Sequence, residues 1–156
     1  VNGKIVGSFI VIVSLAFGAF VYWSQEYRYY SEVAADAANM TLVDIATGQP
    51  EPVLIDRFEG IDGSSSPIRY RACFTLPLRT GTLTETYQPY PDPTPLIAPG
   101  WFDCFDATAI GTALERGEAL AFLSQRDLHD GVDRVIAVFP DGRAFAWHQL
   151  NEKYQD

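Results

Sequence analysis

Few side chains in this sequence are suited to chemistry, and they fall into three groups. Ser64, Ser65 and Ser66 stand in a row, and a serine hydroxyl becomes a nucleophile when a base lies within reach. No glycine-flanked elbow surrounds them and no His or Asp is committed to them, so they read as a loop. The histidines are His129, in the run Asp127 to Gly131, and His148, beside Trp147. Asp127, His129, Asp130 and Asp133 could together hold a cation. Their spacing departs from the EF-hand loop, and a polar turn is the expected reading. The third group is Cys73 and Cys104, whose spacing matches no CxxC redox motif and leaves too few ligands for structural zinc. No Gly-rich phosphate loop, CxxCH haem site or Walker motif is present. The residue inventory points away from an enzyme and implies no cofactor and no metal.

What must position these residues begins at the N-terminus. Ile5 to Trp23 contains no charge, and as a helix these nineteen or so residues span roughly 28 Å, close to the thickness of a bilayer core. In lipid the backbone must satisfy its own hydrogen bonds, which requires a helix. The rival is a signal peptide with Lys4 as its basic region, Ile5 to Leu15 as its apolar core and Ala16-Phe17-Gly18 as its cleavage site. The apolar run continues past that point into Tyr22, Trp23, Tyr27, Tyr29 and Tyr30, an aromatic cluster of the kind found at a membrane interface. An uncleaved anchor over residues 1–23 is therefore expected. Lys4 and a free N-terminal amine lie on one side and Glu26, Arg28, Glu32 and Asp36 on the other, with acidic residues in excess. By the positive-inside rule the N-terminus is cytoplasmic and the main domain periplasmic, at the inner membrane.

The anchor has a small-residue face. Gly3, Gly7, Ser14 and Gly18 fall within about 60° on a helical wheel, with Val11 at its edge. Such a stripe lets a neighbouring helix approach closely, although glycine and serine are common in membrane helices in any case. The transmembrane helices of a larger complex are the partner this face would fit.

Net charge is −9, from 11 basic and 20 acidic residues. Lys4 is the single charge before Trp23, so the acidic excess belongs wholly to the outer portion. That balance excludes nucleic acid and anionic headgroups as electrostatic partners. It suits a basic soluble protein such as a c-type cytochrome, or simply a solvated surface. In an oxidising compartment the two cysteines read as one disulfide closing a loop of about 32 residues. The alternative, two buried thiols, would contradict the orientation.

About 130 residues remain for one compact domain. Residues 24–40 are expected to be a helical stalk or linker, since they lack Gly and Pro and end in helix formers. Thr41 to Ala46 and Val53 to Ile61 read as strands, and Ile68 to Leu76 alternates most clearly of all. Leu83 to Gly100 holds five prolines and reads as an extended loop. Tyr87, Tyr90, Pro91, Pro95 and Trp101 make it a candidate partner loop, or else it merely crosses the domain. Asp106 should cap a helix over Ala107 to Arg116, with Gly117 just beyond. Ala119 to Ser124, Arg134 to Phe139 and Arg143 to Leu150 complete the strands, the last two joined by a Pro140 to Arg143 hairpin turn. The fold class is a single transmembrane helix plus a small α+β domain over residues 41–156, an antiparallel sheet with one short helix and one disulfide.

The stretches NGKIVG, SSPIRYRACF, LTETY, APGWFDCFDA and AWHQ resemble a family of uncharacterised, single-anchored proteins from purple-bacterial and related alphaproteobacteria. The resemblance spans nearly the whole chain and implies no activity. It also implies a longer tail than the one ending at Asp156. Two functions are expected to compete. One is a non-enzymatic accessory subunit of a respiratory or photosynthetic inner-membrane complex. The other is a tethered periplasmic binding or assembly factor using its acidic surface or proline loop.

Overall fold

The computed structural model describes residues 2–37 and 39–155. The free amine expected at Val1 therefore lies outside the described residues. Helix α1, Gly3–Trp23, opens on Asn2, whose side chain accepts from the Lys4 amide. No residue of α1 is buried against the rest of the chain. Together with the π-helical turn Ser24–Arg28 it is long and apolar enough to cross a membrane.

Six antiparallel strands follow in one sheet. They are β1 (Tyr30–Val33), β4 (Asp56–Gly63), β5 (Arg71–Thr75), β8 (Arg143–Leu150), β7 (Val132–Val138) and β6 (Leu120–His129), in that spatial order. A separate hairpin, β2 (Thr41–Val43) with β3 (Pro50–Pro52), lies against β6. Thr41 Oγ1 donates to the Ser124 carbonyl at 2.8 Å, and the Gln88 backbone bridges Val43 to Leu123. Two short helices complete the domain, α2 (Thr80–Thr86) and α3 (Ala107–Glu115).

The sheet is covered on both faces. On one, Ile110 of α3, Phe102 and Phe105 pack with Cys73, Val135, Phe145 and Trp147. On the other, Met40, Leu42 and Leu83 pack with Ala72, Phe74, Phe122 and Ile136. Strands β7 and β8 are consequently buried almost throughout. The alternation in Ile68 to Leu76 thus separates two cores and does not separate core from water.

Several boundaries differ from expectation. Residues 24–40 are not a helical stalk, for the helix ends at Arg28 and Tyr30–Val33 joins the sheet as its edge strand. Tyr30 and Val33 suit a pleated, half-buried edge, and they pair with Gly63 and Gly60. The sheet domain accordingly begins near residue 30, eleven residues before the expected boundary at 41. Residues 53–55 leave the second strand because Val53 turns to bond the Met40 carbonyl. Leu83 lies in α2, a helix unforeseen in a segment rich in threonine and glycine. The expected caps of α3 form, with Asp106 accepting from Ala109 at 3.0 Å and Gly117 at φ +70°. The Pro140 to Arg143 hairpin closes through Phe139 and Arg143, with Gly142 at φ +91°.

Cys73 and Cys104 are bonded to each other, their Cα atoms 6.3 Å apart. The bridge ties the central strand β5 to the segment leading into α3. On the chain-entropy account its loss should cost about 3–4 kcal/mol. Urea unfolding of the full chain with and without reductant checks this. A midpoint unmoved by complete reduction would show that the bridge is not a stabiliser.

Candidate functional site

Three of the singled-out residues, Tyr27, Tyr30 and Trp101, converge at the junction between the apolar helix and the sheet. Tyr27 stacks on Trp101 with ring centroids 6.0 Å apart, and Tyr30 meets the same indole edge-on at 6.0 Å. The Trp101 indole N–H donates to the Glu26 carbonyl, and Arg69 Nη1 donates to the Gln25 carbonyl at 3.4 Å. The Arg69 guanidinium also lies 5.3 Å from the Tyr30 ring. Of the five interface aromatics, Tyr27 and Tyr30 thus gather on Trp101, while Tyr22, Trp23 and Tyr29 remain exposed. Gly3, Gly7 and Gly18 have nothing within 4 Å of where a Cβ would stand. Val11 and Ser14 are likewise exposed, so the small-residue stripe meets no part of its own chain.

The proline-rich segment runs from Tyr87 to Trp101 as a strap, pinned along its length by buried side chains. Tyr90 donates its hydroxyl to Asp133 Oδ2 at 3.0 Å, and its amide bonds the Ala121 carbonyl. Gln149 accepts from the Thr94 amide at 2.8 Å and donates to the Asp92 carbonyl at 3.2 Å. Arg71 donates from Nε to the Leu96 carbonyl at 2.8 Å and from Nη2 to the Ile97 carbonyl at 3.2 Å. Its Nη1 reaches the Ile68 and Tyr70 carbonyls. Burial lowers the Arg71 pKa to about 10, which leaves it charged at neutral pH. As candidate partner residues the five separate. Tyr90 is buried, Tyr87, Pro95 and Trp101 are half-buried, and Pro91 is exposed. The strap is therefore not one continuous docking surface, because the domain itself uses Tyr90 and Trp101.

The acidic cluster is likewise occupied. Buried Asp133 accepts from the Asp127 amide at 2.9 Å, from Asn151 at 3.0 Å and from Tyr90. Asp127 accepts from Asn151 and the Gly131 amide, and Asp130 from Lys153 and Tyr154. Among the described residues no group of three or more His, Cys, Asp or Glu side chains could hold a metal ion. Sequence reasoning missed Asn151, because a lone asparagine gives no local sign of the carboxylates it will bridge.

Ser64, Ser65 and Ser66 lie in a turn and line a shallow pocket of about 460 Å³ with Asp62 and His129. Asp62 accepts from the Gly63 amide, and Ser66 Oγ accepts a long bond from Ile68. Among the described residues no hydrogen bond joins a serine hydroxyl to His129. His148 is the buried histidine. Its Nδ1 lies 2.8 Å from the Pro67 carbonyl and so carries the proton, while Nε2 accepts from Arg134 Nε at 3.1 Å. The ring stacks on Tyr70 at 4.6 Å. Burial first, and the Arg134 charge second, lower the His148 pKa to about 3, and burial raises Tyr70 to about 12. His148 is thus held neutral beside an arginine, with both ring nitrogens engaged.

Comparison with known proteins finds a match over residues 40–156 to a family of unknown function (DUF6446). No curated protein matches the chain, and no solved structure does.

The His148 environment makes stability depend on pH. The folded pKa lies below the ordinary value of 6.5, so the unfolded chain takes up the proton first. The contribution is complete above about pH 6.5 and falls toward pH 3, at up to about 1.4 kcal/mol per unit. Denaturant unfolding at several pH values should show this slope, and His148→Gln should flatten it. Identical slopes for both proteins would exclude His148 as the source.

Proposed function

The chain belongs to this family of unknown function, and we propose that it is a non-enzymatic accessory subunit of a larger inner-membrane energy-transducing complex, respiratory or photosynthetic. In this reading α1 crosses the membrane with its N-terminus cytoplasmic, and the sheet domain stands in the periplasm. The family would then comprise single-anchored proteins, in line with the resemblance to proteins of purple-bacterial and related alphaproteobacteria. The observation that carries the proposal is that α1 buries none of its residues against its own chain. An apolar helix of this length needs either lipid or another helix around it, and its glycine stripe admits a close neighbour. The Cys73–Cys104 bridge supports an oxidising compartment for the domain. The occupied state of Asp133, His148 and Arg71 supports a structural role for them in place of a catalytic one.

The second reading is a tethered periplasmic binding or assembly factor. A specific feature favours it. An apolar hollow of about 320 Å³ opens between the strap and α3, lined by Pro89, Pro93, Leu114 and Leu120. The acidic surface would suit a basic soluble partner such as a c-type cytochrome.

Extraction in mild detergent followed by size-exclusion chromatography separates the two readings. Co-migration with a large complex is expected for a subunit, and a free 17.3 kDa species for a tethered factor. Replacing Gly7 and Gly18 together by isoleucine should preserve insertion, since neither position has a neighbour within 4 Å inside the chain. A loss of a few kcal/mol of interhelical packing would lower co-purification by about a hundredfold. Ile12→Leu with Phe20→Leu, on the opposite side, should change little. Undiminished co-purification of the glycine double variant would mean that α1 only tethers.

A further inference from the structure

The strap ends where the apolar helix ends. Trp101 bonds the Glu26 carbonyl and stacks on Tyr27. The sheet fixes which of its ends this is. Strand β1 starts at Tyr30, directly after the helix, and pairs there with Gly63, the last residue of β4. Arg71, the first residue of β5, pairs with Ile61 at the same end. From that position its buried guanidinium holds the Leu96 and Ile97 carbonyls. The turn Pro95–Pro99 is therefore fixed at the helix end of the domain.

This turn carries an exposed apolar side chain, for Ile97 is 82% accessible although its backbone is clamped. The ten residues Pro93 to Phe102 (PTPLIAPGWF) include no charge in a chain with 20 acidic residues. Part of their backbone is already satisfied. Pro95 and Pro99 have no N–H to satisfy, the Leu96 and Ile97 carbonyls are held by Arg71, and the Pro99 carbonyl accepts from the Phe102 amide. Among the described residues the Leu96, Ile97 and Ala98 amides have no protein acceptor; water and headgroup oxygens of the interfacial layer can serve them, whereas the hydrocarbon core could not.

We propose that the Pro95–Pro99 turn is a second membrane contact, with Ile97 entering the interfacial layer of the bilayer that α1 crosses. The proposal rests on reading α1 as a membrane span. Two attachments, one through the helix and one through the turn, fix how the sheet stands on the membrane. The exclusion of anionic headgroups by the acidic domain does not oppose this contact, because the turn is uncharged and its gain is apolar burial.

The test uses the full chain in phosphatidylcholine nanodiscs with an environment-sensitive nitrobenzoxadiazole label on one added cysteine. Both native cysteines are bridged, so the added thiol is the one that reacts. The labelled variants are Ile97→Cys, Leu54→Cys and Phe9→Cys. Leu54 is 87% exposed but lies beside Asp56, which pairs with Thr75 at the far end of the sheet. Phe9 lies within α1. The expected result is quenching at position 97 by lipids with a spin label near the headgroup, and protection from aqueous iodide about threefold better than at position 54. Iodide access at 97 equal to that at 54, with Phe9 quenched by deep-labelled lipids, would overturn the contact and leave the span intact. Protection of 97 from both iodide and labelled lipid would mean that protein covers it, which also overturns the proposal. Failure of every lipid to quench at Phe9 would remove the span and this contact together.

Discussion

The arrangement of the domain depends on one buried cation that has no acid beside it. Among the described residues no carboxylate lies within salt-bridge distance of Arg71, which gives its donors to four backbone carbonyls instead. Burying an unpaired charge is tolerable only when hydrogen bonds replace its hydration. Carbonyls from two separate stretches must therefore stay in place, Ile68 and Tyr70 from the approach to β5, Leu96 and Ile97 from the strap. Phe105 lies 5.9 Å from the same guanidinium. Cys73, two residues further along the strand on the same face, fastens the segment that contains Phe105. Sheet, strap and α3 approach thus meet around a single side chain.

Asp133 does the corresponding work on β7, two strands nearer the β6 edge of the sheet. It joins the β6–β7 hairpin, the strap through Tyr90 and the C-terminal turn through Asn151. The groups that look most like chemistry in the sequence, the acidic run near His129 and the histidine beside Trp147, are engaged in hydrogen bonds. Asp133 and His148 bond within the domain, and Asp130 bonds Lys153 and Tyr154 at its surface. What the molecule presents outward is plainer: an apolar helix, an acidic surface and a few isolated apolar side chains.

Much of this was legible where the signal is local. The Asp106 cap and Gly117 mark α3 because capping chemistry sits within a few residues of the helix it ends. Pro140 to Arg143 marks its hairpin for the same reason, and two lone cysteines following an apolar N-terminal helix suggest their own bond. The failures concern pairings between distant residues. Tyr30–Val33 becomes a strand because Gly60–Gly63 offers an edge, and nothing within residues 24–40 shows that edge. Helix α2 forms in a poor helical sequence because Leu83 is needed under Phe74 and Ile136 in the second core. Arg71 reads as the polar side of an alternating strand, since the chain that covers it comes some 25 residues later. At the candidate site, Trp101 and the tyrosines were visible as aromatics. The packing of Tyr27 and Tyr30 on Trp101, and its bond to the Glu26 carbonyl, were not.

The bridge between Cys73 and Cys104 also closes a covalent ring, and the ring contains α2, the whole strap and the exposed turn at Ile97. Exposed loop tips are where proteases cut first. A single cut at any exposed site within the ring opens it without dividing the molecule, and the pieces before and after it stay joined through sulfur. The helix stays attached to α3 and the last three strands. In a compartment rich in proteases, a nicked copy would stay in one covalent piece as long as the bridge stayed oxidised. Reduction alone leaves the backbone whole, so parting the chain within the ring takes two independent injuries.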